Sequence, residues 1–398
     1  MPQRPIHPSD HRDPDDGEDP VDRTIAGGTV LGLPEVDAEE AAPGEARARF
    51  DPAELRTVLA HYRLGELSGI TELEAGSRRA PKVRISGSEG EFLLKRRAAR
   101  PELVERVVFN HGLQLHLEAD GVPVARLVGT LRENRSMLIL EEQVYELFEW
   151  VDGRRIVRAA PEVRNAGRIL GRLHRSGERF EPPGESGVLG FHAARTVTHA
   201  FERVEPAIVR ADPTVDRPAL GAVIGRLQGA LERARDEVEA GGWDSLPNQP
   251  IHGDWHPGNV LFTPGAGTER KPGIVRAVID FDSSRREPRL VDLANGLLHF
   301  AMRSDRDRSP ADWPISLSPS RMQAMVSGWR EIVGPPLPGE GSMLPALMIE
   351  ALVAESVVPI ARHGRFAAVP GHAFLEMVSR KAGWIAEHAP AITSLLDA

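Results

Sequence analysis

The densest group of polar side chains in the chain lies in residues 251–262, which read Ile-His-Gly-Asp-Trp-His-Pro-Gly-Asn-Val-Leu-Phe. The carboxylate of Asp254 is followed five residues later by the carboxamide of Asn259. Two glycines and a proline in this segment prevent a regular helix, so both side chains are expected on a loop. A carboxylate can take the proton of a reacting hydroxyl, and a carboxamide oxygen can bind a divalent cation. The loop is therefore suited to metal-assisted acid–base chemistry.

A second acidic group follows the apolar segment 277–279, whose composition predicts a strand. Asp280 ends this strand twenty-one residues after Asn259, and Asp282 follows two residues later. Magnesium (Mg2+) prefers oxygen ligands, so Asn259 and Asp280 are the predicted metal ligands and Asp282 is a weaker candidate. The Asp-x-x-x-x-Asn spacing of the loop is that of the kinase catalytic loop. Because phosphoryl transfer needs positioning and charge neutralisation, these residues predict transfer of the γ-phosphoryl of a nucleoside triphosphate.

The overall composition excludes several other classes of site. The 398 residues carry a formal net charge of −9 and contain no cysteine. Without cysteine there is no disulfide framework, no thiolate metal site and no cysteine nucleophile. An acidic chain is not expected to bind nucleic acid or an anionic membrane as its main task. The sequence has no uncharged apolar run that could span a bilayer and no apolar signal segment at its start, which predicts a cytoplasmic protein.

The negative charge is concentrated in the first fifty residues, which hold twelve acidic residues against five arginines. This segment has no sustained period of 2 or 3.6, so residues 1–50 are predicted to be a disordered acidic tail. The first helix start signal is Asp51-Pro52-Ala53-Glu54, with an N-cap carboxylate, a proline at the first helical position and a glutamate at the third. It predicts a helix from Pro52 to about Tyr62.

The remaining pattern predicts an α+β chain with two lobes, a small antiparallel-sheet lobe over residues 51–149 and a larger helical lobe over residues 150–398. In the small lobe the predicted strands are 70–75, 81–86, 91–95, 122–128 and 136–141, the predicted helix is 103–118, and 144–150 is a run leaving the sheet. In the large lobe the predicted helices are 161–176, one within 212–244, 344–362 interrupted at Pro359, and 371–388, and the predicted strands are 260–262 and 275–279.

The most specific motifs of the chain are His-Gly-Asp-x-His-Pro-Gly-Asn (252–259), Ile-Asp-Phe-Asp (279–282), Gly-x-Leu-His (171–174) and Pro-x-x-x-Asp-Leu-Ala (288–294). Together they resemble the aminoglycoside phosphotransferase and choline kinase superfamily, which has a bilobal protein-kinase-like fold. The resemblance extends from about Leu64 to the last helices and does not cover the first fifty residues. It implies an ATP-dependent phosphotransferase whose acceptor is a hydroxyl group of a small molecule.

The resemblance also implies roles for single residues of the large lobe. Asp254 matches the catalytic aspartate of the family, Asn259 its metal-binding asparagine and Asp280 its principal metal carboxylate. His252 would hold the loop by hydrogen bonding, and Asp292 would cap or anchor the backbone nearby.

The same resemblance places the nucleotide phosphates at Lys95. This residue is one of four lysines in the chain and ends the predicted strand 91–95, where the family has a lysine for the α- and β-phosphates. Its partner in many relatives is a helix glutamate, but Asn110 stands at that position here. Glu105 is the favoured substitute and Glu102 is the other candidate, while Glu105 could equally be a solvated helix charge.

Two further segments complete the implied nucleotide site. Gly76 and Ser77 lie in the turn that would cover the phosphates, although glycine there is also typical of a simple hairpin. Phe148 would lie at the back of the adenine slot, and the backbone of Glu149 and Val151 would hydrogen-bond to the adenine.

The same residues allow several alternative functions. A zinc site at His252 and His256 is disfavoured, since Pro257 and Gly258 prevent the helix that would align the two rings. Protein-kinase activity is disfavoured because His-Gly-Asp and Asp-Phe-Asp replace the corresponding protein-kinase motifs. The main alternative is a kinase-like protein that has become a binding or structural module.

Glu350, Glu355 and Arg362 on a late helix are candidate acceptor contacts, although they could equally be surface charges. The identity of the acceptor, the choice of ATP or GTP and any protein partners stay open.

Overall fold

The structure is a computed structural model of the chain. It describes residues 29–30, 33–34, 47–73, 80–184, 186–188, 190, 192, 194–264, 271–303, 308–309 and 312–397. The predicted phosphate turn with Gly76 and Ser77 lies outside the described residues, and so does most of the predicted acidic tail. Both expectations therefore stay predictions.

The described elements of the small lobe form one five-stranded antiparallel sheet with two helices, in addition to a short strand pair near the N-terminus. They are β1 (Thr29–Val30), β2 (Leu33–Pro34), α1 (Pro52–Leu59), β3 (Leu67–Leu73), β4 (Lys82–Gly87), β5 (Gly90–Ala98), α2 (Pro101–Ala119), β6 (Leu138–Leu140) and β7 (Gln143–Glu149).

Helix α1 begins as the sequence predicts. The Asp51 carboxylate accepts hydrogen bonds from the backbone N–H groups of Ala53 and Glu54, and the Glu54 carboxylate accepts one from the Asp51 N–H. This reciprocal capping satisfies donors that a helix start leaves open. The helix ends at Leu59, three residues earlier than predicted. Phe50, directly before the predicted boundary at residue 51, is buried in the core of the small lobe.

The sheet has the order β3-β4-β5-β7-β6, which corrects the predicted strand membership. Segment 143–149 lies inside the sheet between β5 and β6, although it was expected to leave it. Segment 122–128 forms no strand and makes only single bridges, from Val124 to Val278 and from Leu127 to Phe148. It runs between the two lobes, and its apolar residues Val122 and Val124 pack into the core of the large lobe. Burial on several sides explains the apolar composition of this segment, and that composition is also typical of a strand.

The described elements of the large lobe are mostly helices around one hydrophobic core. They are α3 (Ala160–Gly177), α4 (Arg195–Ala211), α5 (Arg217–Ala240), a 3₁₀ turn (Trp243–Ser245), β8 (Asn248–Ile251), β9 (Val260–Phe262), β10 (Val275–Val278), β11 (Arg285–Pro288), α6 (Leu290–Phe300), α7 (Pro319–Val333), α8 (Glu340–His363), β12 (Arg365–Phe366), β13 (Val369–Pro370), α9 (Gly371–Glu387) and α10 (Ala389–Asp397).

Helix α8 is the central helix of this lobe and runs without a break. It contains Pro345 and Pro359, so the predicted interruption at Pro359 is wrong. Among the described helices it alone is long and apolar enough to cross a membrane by length and composition, but 89% of its apolar window is buried inside the protein. The core helix of a folded protein has the same composition. Packing on all sides of α8 offsets the loss of the backbone hydrogen bonds that its two prolines cannot make. The predicted α+β class, with a small sheet lobe and a larger helical lobe, is confirmed.

Candidate active site

The loop between β8 and β9 is tied to helix α6 by one buried carboxylate. Asp292 accepts a hydrogen bond from the backbone N–H of His252 (2.8 Å) and another from that of Gly253 (2.8 Å). His174 of α3 lies 3.2 Å from the same carboxylate and accepts a hydrogen bond from the Trp329 indole (2.9 Å). Burial opposes ionisation of Asp292, but the neighbouring histidines and N–H donors hold its pKa below the ordinary value. The expected anchoring role of Asp292 is therefore present in the structure.

Gly253 is the residue that lets the loop turn sharply. Its φ is 79°, and a Cβ at this position would lie 2.1 Å from the carbonyl oxygen of Ser283. Only glycine combines this backbone conformation with such a close approach. The turn directs Asp254 away from the core, whereas the next residue, Trp255, is completely buried and anchors the loop.

Asp254 and Asn259 are in direct contact, as their spacing predicts. The Asn259 amide nitrogen donates hydrogen bonds to the backbone oxygen (3.1 Å) and to a carboxylate oxygen (3.0 Å) of Asp254. Because the nitrogen is used in this way, the Asn259 side-chain oxygen is the atom that can face a cation. Asn259 is buried, while the Asp254 side chain keeps 27% of its surface exposed. The catalytic candidate can therefore meet a substrate.

Asp280 reaches the same place through the pairing of β9 with β10. Val260 lies opposite Val278, and the Ile279 N–H donates to the Asn259 carbonyl (3.0 Å). His252 donates from Nε2 to the Ile279 carbonyl (3.1 Å), which is the loop-holding role expected of it. Asp280 itself has a φ of 61°, which a non-glycine residue adopts at a cost of about 1–2 kcal/mol. Such local strain is typical of functional sites.

Lys95 crosses the cleft from β5 to the two carboxylates that follow β10. Its ammonium donates a hydrogen bond to Asp282 and lies 3.8 Å from Asp280. Burial and the nearby Arg97 favour the neutral amine, but the charges of Asp282 and Asp280 outweigh them and raise the pKa of Lys95. A permanently charged ammonium is thus held beside the metal-ligand candidate, 185 residues away in sequence.

The expected partnership of Lys95 with Glu105 is wrong. Glu105 is exposed on α2, whereas Lys95 is bound by Asp282. The network that replaces it starts at Asp282, which also accepts from Arg97 (2.9 Å), and continues through Arg97 to Glu146 (2.7 Å). Helix α2 joins this network through His111, whose Nε2 lies 2.9 Å from Glu146.

This network also gives Asp282 a different role from the one expected. Both of its carboxylate oxygens are bound by cations, Lys95 and Arg97, which hold its pKa well below the ordinary value despite burial. An oxygen pair that is already neutralised is a poor place for a further cation. The structure therefore favours Asp280 over Asp282 as the metal ligand. Arg97 and Glu146 were missed by the sequence analysis, and only their strand register, Lys95 opposite Glu146, could have indicated them.

The predicted adenine slot lies where β7 ends. Phe148 is half-buried, its ring in edge contact with His111 at 6.1 Å between centroids. The Glu149 N–H donates to the Arg126 carbonyl (2.8 Å), and the following Trp150 N–H donates to the Glu91 backbone carbonyl (2.8 Å). Within the described part of the chain the Val151 N–H has no backbone acceptor. This arrangement leaves a backbone donor beyond β7 for a nucleobase.

The charge on Asp254 is controlled by histidines. His256 Nε2 lies 3.2 Å from the Asp254 carboxylate, and both charge and hydrogen bonding link the pair. Burial raises the pKa of Asp254, but the charges of His256, His252 and His299 lower it more, and the net pKa lies below the ordinary value. The same pair raises the pKa of His256 against the opposing effect of burial. Asp254 is therefore ionised at neutral pH.

The side-chain oxygens of Asn259 and Asp280 fit a hard divalent cation that also binds substrate. Asn259 offers one amide oxygen and Asp280 one carboxylate, and two ammonium groups, Lys82 (3.9 Å) and Lys95 (3.8 Å), already lie against that carboxylate. Both ammonium groups stand beyond hydrogen-bond distance of Asp280, in contrast to the cations that are hydrogen-bonded to Asp282. The described residues include no cluster of three or more histidine, aspartate or glutamate ligands. Two protein oxygens suit Mg2+, which usually keeps water and phosphate oxygens as its remaining ligands.

Several solved structures share the fold of this chain. An aminopropanol kinase associated with a microcompartment superposes with a TM-score of 0.58 at 18% sequence identity, over 86% of this chain and 99% of that one. An aminoglycoside phosphotransferase from Alicyclobacillus acidocaldarius subsp. acidocaldarius DSM 446 has a TM-score of 0.57 at 17% identity, over 89% and 97%. A spectinomycin phosphotransferase in complex with ADP and spectinomycin has a TM-score of 0.57 at 14% identity, over 85% and 100%.

At these identities the structural likeness establishes the fold and nothing finer. No curated protein matches the chain in sequence. The model of the phosphotransferase enzyme family, in contrast, matches residues 69–314. That range is more than half of the chain and contains the complete site from Lys95 to Asp292, so the chain belongs to the phosphotransferase enzyme family.

Proposed function

We propose that this phosphotransferase moves the γ-phosphoryl group of ATP to a hydroxyl group of a small molecule. The observation that carries the proposal is the contact across the cleft, where Lys95 of the small lobe lies 3.8 Å from Asp280 of the large lobe. A cation for phosphate and a ligand for metal thus converge beside the Asp254 carboxylate. This is the grouping that phosphoryl transfer requires.

Asp254 orients the acceptor hydroxyl and receives its proton. The hydroxyl oxygen forms a bond to the γ-phosphorus while the bond from that phosphorus to the bridging oxygen of ADP breaks. The lowered pKa of Asp254 keeps it ionised, so at neutral pH it can accept a hydrogen bond from the hydroxyl. A weak base is sufficient, because in a loose transition state the acceptor oxygen gains little positive charge before the proton leaves.

The remaining residues bind the nucleotide. Lys95 holds the α- and β-phosphates, and the backbone of Glu149 and Val151 binds the adenine against Phe148. Asn259 and Asp280 would hold Mg2+, which supplies neutralisation of phosphate charge when it is bound. We place the reaction in the cytoplasm, where ATP and Mg2+ are available, without nucleic acid or membrane as a partner.

The acceptor would approach Asp254 from the side of α8. Glu355 of this helix lies 2.9 Å from His299, whose ring centroid is 6.1 Å from that of His256. A continuous line of polar side chains therefore leads from Asp254 to Glu355. Glu350 is buried against His192 at 2.9 Å, and Arg362 is exposed. Of the three acceptor candidates named from the sequence, Glu355 is thus the one best placed to contact an acceptor.

The test is a transfer assay with ATP, Mg2+ and a panel of small hydroxyl compounds that includes amino alcohols and aminoglycosides. Phosphorylated product is detected by mass spectrometry and compared for wild type, Asp254→Asn and Asp280→Asn. We expect both variants to lose transfer by at least about 100-fold, the usual range for loss of a catalytic acid–base group. The matched control is Asp244→Asn, which removes an exposed carboxylate and should leave transfer unchanged.

Two results would contradict the proposal. The first is wild-type transfer rates in Asp254→Asn, since the hydroxyl would then be positioned by another group. The second is nucleotide binding by calorimetry with no transfer to any acceptor of the panel, which would favour a kinase-like binding module.

A further inference from the structure

A second lysine lies beside the predicted phosphate site. Lys82 is the first residue of β4 and pairs directly with Lys95 of β5 in the antiparallel register. Residues that are directly opposite in an antiparallel pair point to the same face, with Cβ atoms about 5 Å apart. Both side chains therefore project from the sheet into the cleft, while Val83 and Leu94, the next pair along the two strands, point into the core of the small lobe.

The two ammonium groups approach different oxygens of one carboxylate. Lys82 Nζ lies 3.9 Å from Asp280 Oδ2, and Lys95 Nζ lies 3.8 Å from Asp280 Oδ1. The Lys82 side chain is mostly buried, with 17% of its surface exposed. Like charges directly opposite in a sheet are unfavourable, and burying them adds a desolvation cost. A sequence that keeps two lysines here needs an anion between them.

The described carboxylates do not fully supply that anion. Lys95 is hydrogen-bonded to Asp282, whereas the Lys82 ammonium is too far from Asp280 for a hydrogen bond and makes none within the described part of the chain. Asp280 is also the carboxylate expected to bind Mg2+, and a bound cation would weaken its attraction for Lys82. The phosphate chain of a nucleotide would bring the missing negative charge to this point.

We infer that Lys82 is a second phosphate-binding residue, which contacts the phosphates beyond the α-phosphate beside Lys95. The inference rests on the proposed function and deepens it. The two lysines then contact the phosphate chain from neighbouring positions on one face of the sheet.

The test is a comparison of nucleotide affinities, which does not depend on transfer activity. Isothermal titration calorimetry in the presence of Mg2+ measures the Kd of AMP, ADP and a non-hydrolysable ATP analogue for the full chain. In Lys82→Met we expect ADP and the analogue to bind about tenfold more weakly, the size of one charged hydrogen bond, while AMP binds as before. Lys82→Arg keeps the charge and should retain most of the ADP affinity.

Arg84→Met is the matched control. Arg84 lies two residues further along the same strand and face, but its guanidinium pairs with Glu91 (2.7 Å) and lies over the Trp150 ring (4.5 Å). Removing this charge should leave the ratio of AMP to ADP affinity unchanged. The thermal midpoint of each nucleotide-free variant shows whether the fold is intact, and Lys82→Gln replaces Lys82→Met if the latter does not fold.

The outcomes separate this inference from the proposed function. A wild-type protein that binds none of the three nucleotides would contradict both. A wild-type protein that binds ADP, with an unchanged ratio of AMP to ADP affinity in Lys82→Met, would overturn the inference alone and leave Lys82 as a structural partner of Asp280. Equal weakening of ADP in Lys82→Arg and Lys82→Met would also overturn it, because charge would then not be the cause.

Discussion

The cleft face of the small lobe and the core of the large lobe each contain a buried lysine, and the two are treated in opposite ways. Lys95 in the cleft faces Asp282 and Asp280, and its pKa is raised. Lys381 on α9 is completely buried, and its ammonium donates to the Pro314 carbonyl at 2.5 Å. Burial, together with the positive charges of Arg380 and Arg303, lowers the pKa of Lys381 to about 8.

This difference separates a lysine that can do chemistry from one that only fills space. Burial by itself favours the neutral amine at both positions. Only in the cleft do several carboxylates keep the ammonium charged, although burying those carboxylates also costs desolvation free energy. The Lys95 ammonium, kept charged in the cleft despite the desolvation cost, is suited to an anionic ligand. Lys381, in contrast, has no ion-pair partner among the described residues and touches no described site residue.

The largest expected effect comes from removing the cleft lysine. Lys95→Met should lower kcat/KM for ATP by about 100- to 1000-fold, because a preorganised charge on the phosphates is lost. Transfer kinetics at varied ATP concentration measure this change. Lys381→Met is the matched control, since it removes a buried lysine away from the cleft, and a loss of similar size in that variant would contradict the distinction between the two lysines.

The next effect concerns the carboxylate that makes the two lysines different. Asp282→Asn leaves Lys95 and Arg97 short of one buried negative charge, so we expect the free energy of unfolding to fall by about 3 kcal/mol. Urea denaturation at neutral pH measures it. Asp236→Asn, an exposed position on α5, should change stability by less than about 0.5 kcal/mol. A stability loss in Asp282→Asn no larger than that of the control would show that the network is not energetically coupled.

A smaller effect of opposite sign is expected at Lys381. Lys381→Met removes an ammonium that is charged at neutral pH in an unfavourable place, so the free energy of unfolding should rise by about 1–2 kcal/mol, after the lost hydrogen bond to Pro314 is subtracted. Denaturation of the variant and wild type side by side measures this gain. A destabilised Lys381→Met with normal transfer would mean that the carbonyl contact outweighs the cost of burial.

The smallest and most specific effect is the pH dependence of that gain. The pKa of Lys381 is about 8 in the folded chain and 10.5 in the reference state, so between these values the unfolded chain binds more protons than the folded one. Wild-type stability should therefore rise with pH relative to Lys381→Met, by at most about 1.4 kcal/mol per pH unit, and the gain of the variant should disappear near pH 10. A stability difference that stays constant from pH 7 to pH 10 would contradict the lowered pKa.

Much of the site could be predicted because its residues are close in sequence. Asp254 and Asn259 meet because one glycine-bearing loop joins them, and the N-cap signal at Asp51 acts within a single helical turn. Asp280 could be predicted because an apolar strand leads directly to it. In each case the local chain determines the geometry, so residue types and spacing are sufficient information.

The errors have a common physical cause. The apolar composition of segment 122–128 predicts a strand, and Pro359 predicts an interruption of α8 because proline weakens isolated helices. Packing decides both cases, since the first is buried between the lobes and the second is enclosed by other helices. Glu105 was chosen as the partner of Lys95 from helix position alone, which does not show which side of α2 faces the sheet.

The sequence by itself determined the chemistry of the catalytic loop, the metal-ligand candidates and the family. Only the tertiary structure decided which charges meet across the cleft, because those contacts depend on the register of β4 with β5 and on the approach of the two lobes. Lys82, Lys95 and Arg97 are separated from Asp280 and Asp282 by more than 180 residues. Coulomb energy depends on distance in space, and no local pattern encodes a distance between residues so far apart in the chain.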